Sequence, residues 1–208
     1  MSVDESTPTR RRLRGPARRA TLLSSAASVF AARGYATTSM AEIAEEAGVT
    51  RAVLYDHFPS KKALYLAVLG EQSARFLGHV GAAIGLDARP GMRMRRTMES
   101  VFAFADRHPD SWRVLYANSR NGDPEIDAAW QEAWDARVSE VGTLLAEDLR
   151  QAGLEPGDDR SRVVVEMLVG ALTAAVEHGR LRRGTSREDL LEAGTALLWV
   201  GLRHLSQP

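Results

Sequence analysis

Helix stop signals recur along this chain at helix-length intervals, and between them apolar residues return every three to four positions. Strand-like alternation bounded by turns is missing, which restricts the chain to an all-α fold of about nine helices. A first helix is expected over residues 16–33, with Gly34 as its stop because glycine takes the left-handed conformation that closes a helix. Ser39-Met40-Ala41-Glu42 reads as a capping box, in which the hydroxyl caps the next helix and the carboxylate reaches back. Thr50 caps another short helix that ends before Pro59, and Ser60 caps a long one. Later breaks fall at residues 85–91, at Pro109, at Asp123-Pro124, at Gly153 with Pro156 and Gly157, and at a basic turn over residues 179–184. Ser186, with Asp189 three residues on, opens the last helix.

The 208 residues carry a formal net charge of zero, but the charge is unevenly placed. Residues 1–66 hold ten Lys/Arg against six Asp/Glu, and residues 67–208 hold seventeen against twenty-one. A basic first third on an acidic remainder suits an anion-binding module joined to a differently employed body. The charge sets apart a basic tail over residues 1–15, a module over 16–66 suited to an anion, and a helical body over 67–208. There is no cysteine, which excludes a disulfide framework, a thiolate zinc site and a cysteine nucleophile, and fits a reducing compartment. No apolar run is long enough to span a bilayer, so no membrane partner is expected. Arg18-Arg19 ahead of a mildly apolar stretch has the outline of an export signal. The helical spacing of Leu22, Leu23, Ala26, Ala27, Val29 and Phe30 is that of an amphipathic helix instead, and a cytoplasmic location is expected.

Residues 40–59 have the spacing of a helix-turn-helix. Ala44 is small where a second helix must cross, Gly48 permits a sharp turn, and Ile43, Val49 and Leu54 are placed to bury together. The run from Gly34 through Thr37, Thr38, Ser39, Ile43, Ala44, Gly48 and Thr50 to Tyr55-Asp56-His57-Phe58-Pro59-Ser60-Lys61-Lys62-Ala63-Leu64 closely resembles the DNA-binding domain of the TetR family of transcriptional regulators. The resemblance covers about 50 residues, from the first helix to the start of the fourth.

That resemblance implies a recognition helix beginning at Thr50, with Arg51 at a position where the family reads bases. An arginine there can meet guanine O6 and N7 together. Ala41, Ala52 and Val53 are short enough to touch thymine methyls or to let the backbone approach. Tyr55 and Lys61 match phosphate-gripping positions, and Thr38 and Ser39 match the hydroxyl-bearing start of the second helix. His57 lies near backbone contacts, with a packing role equally open. Lys61 and Lys62 in a first helical turn oppose the helix dipole, a placement that serves a phosphate better than stability. The arginines between Arg10 and Arg19 are placed either to add affinity for flanking DNA or to be dispensable.

The helix containing Val163, Val164, Val165, Met167, Leu168, Val169, Ala171, Leu172 and Val176 is apolar on nearly every side. The last helix repeats this with Leu190, Leu191, Leu197, Leu198, Trp199, Val200, Leu202 and Leu205. The resemblance implies that these last two helices pair with a second copy, giving a homodimer on a near-palindromic double-stranded operator. Aromatic side chains concentrate in the middle helices, as core or as cavity. Met98, Phe102, Trp112, Tyr116, Trp130 and Trp134 are the candidates to line a pocket for an apolar or aromatic effector. No dinucleotide, phosphate-loop, zinc-protease or nucleophile-elbow motif occurs, so no enzyme activity, metal or cofactor is expected. The expected function is that of a ligand-responsive regulator, a repressor released by its effector; the alternative is a constitutive DNA-binding protein without one.

Overall fold

The computed structural model describes residues 15–83, 90–116, 123–181 and 186–200. These form ten α-helices and a π-helical turn, with no strand among the described residues. In chain order they are α1 (Gly15–Thr37), α2 (Met40–Glu46), α3 (Arg51–His57), α4 (Lys61–Ala83), α5 (Pro90–Arg107), α6 (Pro109–Tyr116), α7 (Pro124–Leu144), α8 (Ala146–Gln151), α9 (Asp159–Leu181) and α10 (Arg187–Thr195). The π turn, Ala196–Val200, follows. The arginines at 10–14, the break at 85–89, Gly184, the side chains of Trp199 and Val200, and Leu202 and Leu205 lie outside the described residues.

Gly34, the expected stop of the first helix, does break the helical run: at φ 77° and ψ 166° it leaves the helical region, and only the short turn to Thr37 follows it in α1. Three boundaries differ from the sequence reading, the first at α5, which begins at Pro90 inside the break expected over residues 85–91. The single helix expected from Pro124 to about Gly153 is two, because Leu145 at φ −96° and ψ 9° interrupts it. Gly179 is not part of a turn, since α9 runs through it to Leu181. A Cβ at Gly179 would lie 2.9 Å from Leu190 Cδ1, so this glycine lets α10 pack closely against α9.

The main core crosses the expected domain boundary. Leu22 and Phe30 of α1, Ile43 of α2 and Leu54 of α3 join Leu64 and Val68 of α4, then Phe104, Trp112, Ile126 and Leu172 of the body. Each such buried side chain contributes about 1.5–3 kcal/mol. A smaller core of Val138, Leu149, Leu154, Val165 and Leu168 binds α7, α8 and α9. Helix α4 packs on α1 at one side and on α5 and α7 at the other, so one unbroken helix joins reader and body.

Candidate nucleic-acid interface and effector cavity

The reader is built from local chemistry. Ser39 is extended, its hydroxyl accepts from the Glu42 N–H, and the Glu42 carboxylate accepts from the Ser39 N–H at 2.8 Å, completing the capping box. At the end of α2, Gly48 adopts φ 62°, donates to the Glu45 carbonyl and turns the chain so that the Val49 N–H reaches the Ala44 carbonyl at 2.9 Å. Only glycine takes that backbone geometry without cost. Ile43, Ala44 and Leu54 are buried at the crossing, with Ala47 and Val49 packed against them. The Thr50 hydroxyl caps α3 by accepting from the Val53 N–H. The result presents Arg51, Ala52 and Tyr55 to solvent, Tyr55 being 49% exposed. Asp56 shares that exposure, while Val53 and His57 are half-buried and Ala41 is half-buried beside them in sequence register on α2.

At the junction between reader and body, Lys61, Lys62 and Thr38 find partners within the chain. Lys61 is half-buried and turns its ammonium toward the end of α1. Its Nζ donates to the carbonyls of Tyr35 at 2.9 Å, Ala36 at 3.3 Å and Thr38 at 2.9 Å, and lies 4.5 Å from the centre of the Tyr35 ring. These are the carbonyls at the end of α1, where the backbone has acceptors to spare. Lys62 pairs with Glu125 at 2.8 Å and Asp123 at 3.3 Å, which raise its pKa and tie the start of α4 to the start of α7. Thr38 is 3% exposed and its hydroxyl donates to the Gly34 carbonyl, so it is turned inward. Phe30, Tyr35 and Tyr65 stack around the same joint, with Tyr65 5.0 Å from each of the other two rings.

Within the body a narrow cavity of about 30 Å³, room for roughly one water molecule, lies among α4, α5, α6, α7 and α9. Phe76, Leu77 and Val80 of α4, Val141 and Leu144 of α7 and Leu172 of α9 make its wall apolar. Arg137 of α7 also lines it. The guanidinium is fully buried, with Nη1 donating to Ser73 Oγ at 3.1 Å and with Nε and Nη2 lacking any hydrogen-bond partner. Three rings surround it, Tyr116 at 5.4 Å, Trp134 at 5.7 Å and Trp130 at 6.0 Å.

Comparison with known proteins agrees with this architecture. The family model described as bacterial regulatory proteins, tetR family, matches residues 22–68, the span of the reader and its joint. The HTH-type transcriptional activator FasR of Mycolicibacterium smegmatis is 32% identical over 192 residues, covering 90% of this chain and 84% of that protein. The chain belongs to the TetR family of transcriptional regulators. A TetR-like transcriptional regulator from Rhodococcus sp. RHA1 superposes with a TM-score of 0.72 at 26% identity, covering 92% of this chain and 98% of that one. FadR from Bacillus subtilis, whose crystal structure is a complex with stearoyl-CoA, shares the fold at a TM-score of 0.68 and 19% identity, over 90% and 97% of the two chains. As a TetR-family regulator the protein is not an enzyme.

Against this TetR-family frame the expected effector residues separate. Tyr116 lines the cavity, and Trp130 and Trp134 back it through Arg137. Met98, Phe102 and Trp112 do not line it. Met98 fills the space left by Gly194 and meets the Thr195 hydroxyl, Phe102 packs under Arg187, and Trp112 donates its indole N–H to the Glu177 carboxylate. These three hold α5 and α6 to α9 and α10. Sequence reasoning missed Arg137. The available signal was its register: Ile126, Ala133, Arg137 and Val141 follow helical spacing on the inward stripe of α7, and an arginine there is out of place.

Proposed function

We propose that this TetR-family regulator binds a near-palindromic operator as a homodimer and loses that grip when an effector enters the body cavity. The observation that carries the reading is α4: its first turn is fastened to the end of α1 by Lys61, and its Phe76, Leu77 and Val80 form the cavity wall. A cavity with room for one water admits a larger molecule only if its walls part, and parting α4 from α7 displaces the helix on which the reader is mounted. Arg51, Ala52 and Tyr55 supply the outward face for the major groove, with Ser39, Thr50 and Ala41 at the helix ends beside it. Support for a second copy comes from α9, where Val163 is 53% and Met167 69% exposed, and from Leu197 at 71% on the π turn. Gly170 continues that stripe, and a Cβ there would meet nothing within 4 Å, so packing among the described residues does not account for the glycine. FadR's stearoyl-CoA favours an acyl chain over an aromatic molecule as effector class. FasR is named an activator, so the sign of regulation follows where the operator lies relative to the polymerase site rather than any feature of the fold. Its place is with the DNA in the cytoplasm.

Footprinting and gel retardation of the region upstream of its own gene test the reading. A protected near-palindrome with two half-sites about one DNA turn, roughly 34–36 Å, apart is expected. Met167→Lys should yield a monomer in sedimentation and abolish retardation; a Met167→Lys dimer that still binds DNA refutes the α9 interface. The narrowness of the cavity favours a second reading, constitutive DNA binding with a dry core. Operator binding that no acyl ligand perturbs would establish it.

A further inference from the structure

Two arginines sit deep in the body, and they differ in what they face. Arg93 presents Nε and Nη2 to the carboxylate of Asp148, at 3.2 and 2.9 Å, and the pair locks α5 to α8. Arg137 has the same two nitrogens, on the same edge of the guanidinium, with no hydrogen-bond partner. Among the described residues no carboxylate pairs with it. Its ionisable neighbour is Tyr116, whose phenol burial pushes up to about 12, so that group stays neutral. The three surrounding rings, at 5.4–6.0 Å, lie near the outer limit of an effective cation–π contact and accept no N–H bond in the plane of the fork. A buried cation with one unmet bidentate edge is costly to keep without an anion. The rest of the wall is mostly aliphatic and aromatic carbon, with the hydroxyls of Thr97 and Thr173 donated to carbonyls of their own helices, and this dictates the other end of whatever supplies that anion.

We infer that the effector cavity takes an aliphatic monocarboxylate, and that Arg137 selects it by pairing its Nε–H and Nη2–H with the two carboxylate oxygens. This rests on the reading of the body as an effector site and names the ligand class. The geometry distinguishes a free acid from the corresponding thioester. A carboxylate offers two acceptors and a full charge to a fork built for both. A thioester offers one neutral carbonyl, leaves one donor and the charge unmet, and continues into a bulky coenzyme at a point where Arg137 is fully enclosed. Ser73, which holds Nη1, fixes the fork's orientation.

The test titrates the full-length protein with decanoate, methyl decanoate and decanoyl-coenzyme A, following tryptophan fluorescence, to which Trp130 and Trp134, stacked beside Arg137, contribute two of the four indoles. Release of operator DNA is read in parallel. Decanoate should bind about 30-fold tighter than its methyl ester, the factor expected for a charge-assisted pair. In Arg137→Gln that preference should collapse to within about threefold, with ester affinity retained. Equal binding of acid and ester by the unmodified protein overturns the inference without needing any variant to fold. So does a preference that survives in Arg137→Gln. Tight binding of the coenzyme thioester in place of the acid overturns the free-acid class while leaving an effector site standing. Failure of all three ligands to bind or to release DNA overturns both the inference and the effector reading beneath it.

Discussion

In the head, Ser39, Thr50 and Ser60 each cap the helix that follows, Gly48 closes the turn, and Lys61 satisfies three carbonyls at the end of α1. In the body, Arg137 leaves two donors unmet, and Val163, Met167 and Leu197 stand in solvent. The first region closes its helix ends with its own side chains and turns a short face outward. The second carries an unsatisfied cation inside and an apolar stripe outside. A module of the first kind is finished when it folds. One of the second kind is finished by binding, and that is where a regulator must be open to influence. The two are nevertheless one packed unit, since the main core continues from Leu22 to Leu172 without a break.

Leu54→Ala attacks that continuity and should have the largest effect. Emptying a fully buried leucine costs about 2–5 kcal/mol, and thermal unfolding followed by circular dichroism should remain a single transition at lower temperature. A separate early transition would show instead that the head melts alone. Lys61→Met comes next. Losing three N–H bonds from a charged group at the joint should cost about 1.5–3 kcal/mol and weaken operator binding without altering its dependence on salt. A salt slope reduced by about one unit would mean that Lys61 leaves its carbonyls for a phosphate when DNA binds. Arg51→Ala should leave the melting temperature alone and remove about 1–3 kcal/mol of discrimination at one base position in each half-site. A loss that is uniform over all sequences would reassign Arg51 to the DNA backbone.

The smallest effect concerns pH. Burial, with Arg75, His79 and Arg107 nearby, lowers the pKa of His108 below the usual imidazole value. The folded state therefore favours the neutral ring, and the unfolded state takes up protons first. Stability from this source is full above about pH 6.5 and declines as pH falls toward the lowered folded value. His108→Gln should flatten the melting-temperature profile in that window, and an unchanged profile would remove His108 from the account.

The head was legible because its devices are local. A hydroxyl three residues before a carboxylate, or a glycine between two short apolar runs, acts on neighbours in the chain, and Ser39, Gly48, Thr50 and Ser186 each do what their spacing predicts. The contacts of Lys61 and Thr38 within the chain were not legible because their partners are backbone carbonyls, which any sequence possesses, so no residue type announces them. Body boundaries fared worse for a related reason. Leu145 breaks a helix without proline or glycine, and Gly179 resembles a stop but answers to the side chain of Leu190 on the next helix. Met98, Phe102 and Trp112 are apolar and aromatic in the right region, yet whether such a residue faces a cavity or a neighbouring helix depends on tertiary packing, which their spacing does not encode.

The unbroken run of α4 sets the scale of movement the protein requires. Its 23 residues make a rod roughly 35 Å long, so a tilt of about 5° about its middle swings each tip by roughly 1.5 Å, and about the far end by roughly 3 Å. Two such rods, one per copy and leaning in opposite senses, would double the change in spacing between the paired reading heads. In the proposed dimer, gearing of this kind would let a displacement no larger than a carbon–carbon bond deep in the protein throw the heads out of step with the pitch of DNA.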